Sequence, residues 1–312
     1  MTPKSPDITS RGMSPAIQPH GWMIVCDDQA ARIVGHSANL SGLFPATEKG
    51  FSGLLLRDLL GSETSHALRN GLSRTATAPR AALLPRLPIA GLAGLYDFAV
   101  HAAGDLTVIE IESAAEADPF ALDRVRALFS RLASVHGLDR LAVLAARLVQ
   151  AILQWDCATV LRLGSDGAQV LAQQRRLDWP DAAANAILCT GFSQDARANL
   201  RAARLRFVAD VAAAPVKLIG TKAPDLDRTL LRAATADEIS RAGKTGFAAL
   251  LSLPLIVDDA LWGVLLAHDG AARRLTMDER AVLDLFGDFL SLSIQAALAR
   301  EAADEFRRRH AL

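Results

Sequence analysis

The sequence predicts an α+β chain of two antiparallel-sheet domains in tandem, and three observations lead there. Its 312 residues, 51% of them hydrophobic, are enough for two cores rather than one. Its alternating apolar runs come in pairs with tight turns between them, as in hairpins, and are not interleaved one by one with helices. A polar connection at residues 114–119 divides one such set from another, and long helical patterns begin just after it.

Taken in order, residues 1–16 are rich in Pro, Ser and charge and have no period, which predicts disorder unless another part of the chain ties them down. Residues 22–27 and 31–36 read as a hairpin across Asp27-Asp28-Gln29. Residues 37–43 and 54–69 carry helical spacing. A loop containing Pro79, Pro85 and Pro88 follows, and then residues 94–101 and 106–112 alternate as strands. Beyond the connection, residues 120–136 and 138–153 are helical on either side of Gly137. Strands are expected at 158–163 and 169–174 around Gly164-Ser165-Asp166-Gly167, and at 247–257 and 261–266 around Asp258-Asp259-Ala260. Residues 277–309 form a long amphipathic helix capped by Thr276, with Leu283, Phe286, Leu290 and Ile294 on one face.

Composition excludes several function classes. Lys and Arg total 34, as do Asp and Glu, so no overall field recruits nucleic acid or an anionic membrane. No apolar leader and no run long enough to span a bilayer stand out, and Cys26, Cys157 and Cys189 are too scattered for a disulfide framework or a metal site. A cytoplasmic protein without metal is expected. There is no Gly-rich phosphate loop, no motif of paired catalytic carboxylates and no Ser-His or Cys-His signature, so the chain is not read as an enzyme.

One motif organises the rest: Ile17-Gln18-Pro19-His20-Gly21, leading into the apolar run from Trp22 to Cys26. By itself it is a turn entering a strand. Its wording resembles the start of the phytochrome photosensory region, and further matches follow in order. Arg176-Leu177-Asp178-Trp179 is similar to the family's strand end. Arg204-Leu205-Arg206-Phe207-Val208-Ala209-Asp210-Val211, with Ala214-Pro215-Val216, resembles its Arg-x-Arg-x-Ile-Ala-Asp-Val run. Pro224-Asp225-Leu226-Asp227 and Leu231-Arg232 match its lasso insertion, and Leu261 to His268 its pocket strand. The resemblance implies a bacteriophytochrome-like PAS domain (17–116) followed by a GAF domain (117–300). Residues 301–312 would begin a linker helix to an output region. It also implies a figure-of-eight knot, with Ile17 and the extension 1–16 threaded through a lasso at about 213–228.

The same resemblance locates a pigment site that has been altered here. The bacteriophytochrome attachment cysteine falls on Pro6, and no cysteine precedes Cys26. The alternative attachment Cys-His of plant and cyanobacterial relatives reads Asp237-Glu238. The family's pocket aspartate is Gly191, its pyrrole-water histidine is Glu238, and two pocket tyrosines are Leu161 and Arg241. Surviving candidates are Arg232 and one of Arg204 and Arg206 for propionates, together with Ser252 and His268. Cys189 is the one thiol bordering the pocket. The plainer alternatives are structural ion pairs for the arginines, a core histidine at 268, and an exposed helix turn for Asp237 and Glu238.

Two functions stay open. One is a sensory input module of a bacterial phytochrome-like signal-transduction protein that has lost its pigment and acts through dimerisation or by sensing a partner or another ligand. The other is a red/far-red photoreceptor holding biliverdin noncovalently or through an atypical cysteine. Either implies a downstream output domain or partner, and a homodimer through the GAF helices. Leu283, Phe286, Leu290 and Ile294 would form the seam, or would cover their own sheet while the stripe Val282, Leu285, Phe289 and Leu292 meets the partner.

Overall fold

The computed structural model describes residues 15–27, 29–45, 50–74, 80–165, 167–176, 192, 194–203 and 205–310. Pro6, Cys189, Gly191, Arg204 and the threading of residues 1–14 lie outside the described residues.

The expected hairpins form the body of both sheets. The first domain runs β1 (Ala16–Ile17), β2 (Trp22–Asp27), β3 (Ile33–Ser37), α1 (Leu56–Leu60), α2 (Ser62–Arg74), β4 (Ala82–Leu87), β5 (Tyr96–Ala103) and β6 (Leu106–Ser113). The β2–β3 turn is closed by the Asp27 carboxylate, which accepts from the Ala31 amide at 2.8 Å. One face of the sheet, with Ile24, Phe98, Val100, Ile109 and Ile111, buries Leu56, Leu60 and Leu68 of the two helices.

The second domain runs α3 (Ala121–Ala133), α4 (Leu138–Leu153), β7 (Cys157–Gly164), β8 (Gly167–Arg175), α5 (Gln194–Ala203), β9 (Arg206–Val208), β10 (Val216–Gly220), α6 (Ala236–Thr245), β11 (Ala249–Val257), β12 (Ala260–Asp269) and α7 (Met277–His310). Its five-stranded sheet has the order β8-β7-β12-β11-β9. The β11–β12 turn holds Asp258 and Asp259 at φ of 49° and 59°, a conformation that Asp tolerates better than most residues. Thr276 caps α7 as expected, accepting from the Glu279 amide at 3.1 Å.

Strands β4 and β10 are among the elements absent from the reading of the sequence. The proline-containing loop holds strand β4, which sits at the sheet edge with a register shift between Leu84 and Leu87. Pro85 is tolerated there because an edge strand at a bulge does not need its missing N–H. Strand β10 lies in the second domain's sequence but joins the first domain's sheet, whose order is β1-β10-β3-β2-β6-β5-β4. The approach is close: a Cβ on Gly220 would lie 2.7 Å from the Cα of Gly35.

Helix α7 corrects two expectations. It is long and apolar enough, by length and composition, to cross a bilayer, although no such run stood out in the sequence. Its apolar face is nevertheless a core face: Leu283, Phe286, Leu290 and Ile294 are fully buried with Leu251, Leu253 and Leu255 of β11. They cannot also form a dimer seam. Of the neighbouring stripe, Val282 is buried and Phe289 stacks on Phe129 of α3 at 4.6 Å, whereas Leu285 and Leu292 are 47% and 64% exposed.

The same helix is tied to the first domain by ion pairs. Arg86 of β4 holds Asp278 through two bonds of 2.9 and 3.2 Å, and Arg80 holds Asp284 at 2.9 Å as well as Asp288. Arg280 forms a bidentate pair with Glu112 of β6, whose carboxylate also lies 3.2 Å from His20.

Candidate functional site

Strand pairing brings most of the candidate residues onto one face of the second sheet, opposite α4 and α7. Ser252 is paired with Arg206 and with Leu266, Leu266 with Thr159, His268 with Leu250 and Cys157, and Leu161 with Val264. Directly paired residues share a face, so Leu161, Arg206, Ser252 and His268 belong to one surface. It carries an apolar patch of Leu161, Leu163, Val264 and Leu266 backed by Leu200 of α5, and a second of Val208, Phe247 and Leu250 under Ala242 of α6.

Arg206 is 4% exposed and all three of its guanidinium nitrogens donate within the chain. Nε and Nη2 grip Glu238 at 3.0 and 2.8 Å, while Nη1 and Nη2 donate to the carbonyls of Arg232 and Ala233 at 2.6 and 2.8 Å. Glu238 is therefore not part of an exposed helix turn; only Asp237 is. Glu238 stands at the third position of α6, where it accepts from the Thr235 amide at 2.7 Å while Thr235 accepts from the Glu238 amide at 3.2 Å. Burial pushes its pKa upward, but Arg206 outweighs burial and holds it down to about 2, so it is a buried carboxylate. The Thr-Ala-Asp-Glu spacing at 235–238 was the sequence signal that would have found this helix start.

Arg232 holds Asp227 at 3.3 Å, with its Nε buried and unpartnered among the described residues. Burial, followed by repulsion from Arg206, lowers its pKa to about 10. Its backbone bridges to Ile17, which on its other side pairs with Val216 of β10. The segment Ala16–Gln18 thus runs between the two arms of the 209–235 loop. Gln18, which the sequence reading left without a role, fastens this crossing. Its amide nitrogen donates to the carbonyls of Phe207 and Arg232 at 2.9 and 3.2 Å, and its oxygen accepts from the Ala209 amide at 2.7 Å.

His268 is 1% exposed, packs on Phe247 at 4.5 Å, and is held neutral by burial and by nearby Arg241, its pKa lowered to about 3. Its Nδ1 and the Nε of Arg241 are buried without partners among the described residues. Leu161 is sealed in the apolar patch. Cys157, opposite His268, and Cys26 in the first domain are both buried thiols. Burial raises the pKa of both, that of Cys26 to about 12, so neither is a poised nucleophile. Among the described residues no group of three or more His, Cys, Asp and Glu could hold a metal.

Comparison with known proteins bears on the fold. The family model for the PAS fold matches residues 11–114, and that for the GAF domain residues 121–294. The chain is 24% identical over 304 residues to phytochrome-like protein Cph1 of Synechocystis, covering 92% of this chain and 40% of that protein. It is 27% identical over 333 residues to phytochrome E of Arabidopsis thaliana, covering 93% of this chain and 29% of that protein. The chain therefore spans well under half the length of these relatives. Among solved structures it is similar to the chromophore-binding domain of the bacteriophytochrome RpBphP3 from R. palustris, with a TM-score of 0.78 and 20% identity over 94% of this chain and all of that one. The corresponding domain of a Stigmatella aurantiaca bacteriophytochrome gives a TM-score of 0.78 and 21% identity, over 92% of this chain and 98% of that one. The chain belongs to the GAF-domain family, preceded by a PAS fold, and is a phytochrome-like PAS–GAF photosensory region.

Proposed function

We propose that the chain is the sensory input module of a bacterial phytochrome-like signalling protein whose bilin site is degenerate, so that it works without a native pigment. The observation that carries this reading is the Arg206–Glu238 pair. A carboxylate from the chain itself occupies Arg206, one of the two arginines, with Arg204, between which the family resemblance leaves a propionate contact, and it does so from the position the resemblance gives to a neutral histidine. Leu161 and Arg241 remove two further directed partners. An absorption spectrum of the purified protein mixed with biliverdin tests this: a spectrum identical to free biliverdin, unchanged by red and far-red light, is expected. A sharpened red band that photoconverts would overturn it in favour of noncovalent biliverdin held by Arg232, Ser252 and His268, or attachment at Cys189.

Output in this reading passes through α7 to a partner copy and a downstream domain of a cytoplasmic protein. Leu285 and Leu292 are the exposed apolar residues that would meet the partner helix. A dimer is expected by mass measurement at micromolar concentration, and Leu292→Asp should shift it to monomer with unchanged thermal stability. A wild-type monomer would refute this interface.

A further inference from the structure

Under the 209–235 loop, on the face of the first sheet opposite α1 and α2, lies a carboxyl group that no role above uses. Met23, Val25, Leu106 and Val108 form an apolar floor there, covered from the loop by Leu231, Val216, Leu218 and Leu226. Glu110 of β6 rises from that floor, 2% exposed, and receives the loop backbone: Oε2 accepts from the Leu231 amide at 2.6 Å and Oε1 from the Leu230 amide at 3.1 Å. The same stretch of loop is gripped from its other side, because Leu231 O accepts from the Gln18 amide at 2.7 Å and the Ala233 amide donates to Ala16 O at 3.1 Å. Glu110 is thus the sheet's polar attachment to the arm that encloses the chain crossing.

We propose that Glu110 makes docking of the 221–235 loop on the first sheet proton-linked: the docked loop takes up one proton from solvent at this carboxyl, and it loosens as that proton is lost. Both partners of the carboxyl are neutral backbone amides, and among the described residues no cation hydrogen-bonds it. The charged groups facing this site are Glu112 on the same strand, paired with Arg280 of α7 and near His20; Asp97 and His101 of β5; and Asp225, Asp227, Arg228 and Arg232 of the loop. The guanidinium that acts on Glu110 across space, that of Arg280, is already bidentate to Glu112. Burial accordingly raises the pKa of Glu110 from 4.5 to about 8.

The direction of the effect follows from linkage. Because the docked pKa of Glu110 is raised, its contribution is complete below 4.5 and is lost as pH climbs through 8. His101, whose two ring nitrogens are buried without partners among the described residues, has the opposite sense. Burial lowers its pKa from 6.5 to about 4, so its contribution is complete above 6.5 and is lost as pH falls through 4. Between 4.5 and 6.5 the two slopes cancel, leaving Glu110 alone to set the dependence from 6.5 to 8.

Amide hydrogen exchange of peptides covering residues 221–235, corrected for the intrinsic pH dependence of exchange, reads this directly, with β12 as internal reference. Protection of the loop should fall on the order of tenfold between pH 6.5 and 8 in the wild type, while β12 stays constant. E110Q should remove that dependence. Loop protection that is equal at the two pH values in the wild type, or a dependence that persists in E110Q, overturns the proposal. Should E110Q not fold, the wild-type titration decides by itself.

Discussion

Arg206→Met is expected to destabilise the folded chain by about 3–5 kcal/mol, the cost of leaving a buried carboxylate without its partner. Glu238 is 6% exposed and no second cation reaches it by hydrogen bond among the described residues, so the loss should appear as a large drop in the denaturant midpoint. The double variant Arg206→Met with Glu238→Leu should recover most of it, since apolar residues of similar volume often replace a buried ion pair at little cost. A pH titration gives the same quantity independently. The carboxyl is held from 4.5 down to about 2, so its stabilisation is present above 4.5 and is lost as pH falls toward 2, amounting to about 3 kcal/mol. If Arg206→Met shifted the midpoint no more than a surface substitution, the pair would be incidental and the reading of a self-occupied pigment site would lose its main support.

Arg280→Met is expected to cost a similar amount, about 3–5 kcal/mol, with a further signature. Arg280 is 3% exposed, lies over the Phe207 ring at 5.4 Å, and joins α7 to Glu112 of the first sheet. Burial raises the pKa of Glu112, but Arg280 outweighs burial and brings it to about 2, so removing the arginine strands a charge at the boundary between domains. Calorimetry of the variant should separate the single unfolding transition into two as the domains uncouple. One unshifted transition would show that the remaining pairs of Arg80 and Arg86 are sufficient.

The parts of the fold that the sequence revealed are those with a long enough period. The hairpins β2–β3, β5–β6, β7–β8 and β11–β12 are each built of apolar or alternating runs of five residues or more around a turn, and α4 and α7 repeat their apolar spacing over several turns. Strands β1 and β9 have two and three residues, too few to carry a period, and β10 owes its place to a sheet formed by residues far away in sequence. The site was legible as a set of residues but not as a set of contacts. The resemblance named Arg232, one of Arg204 and Arg206, Ser252 and His268, and it put Glu238 at the pocket histidine, but it did not reveal that this carboxylate engages Arg206, 32 residues upstream. Glu238 was assigned to the surface because a charged residue beside Asp237 usually is solvated. Only the fold reveals that one of the two neighbours faces inward and the other faces water.

Strand β10 has a consequence for synthesis. The first sheet needs residues 216–220 to cover β3, yet those residues leave the ribosome about a hundred positions after β6 is finished. Until then β3 presents a bare row of backbone donors and acceptors, open to any extended strand nearby. Two nascent chains on one message would offer each other that edge. The close approach of Gly220 to Gly35 fits that edge to β10 rather than to another β3.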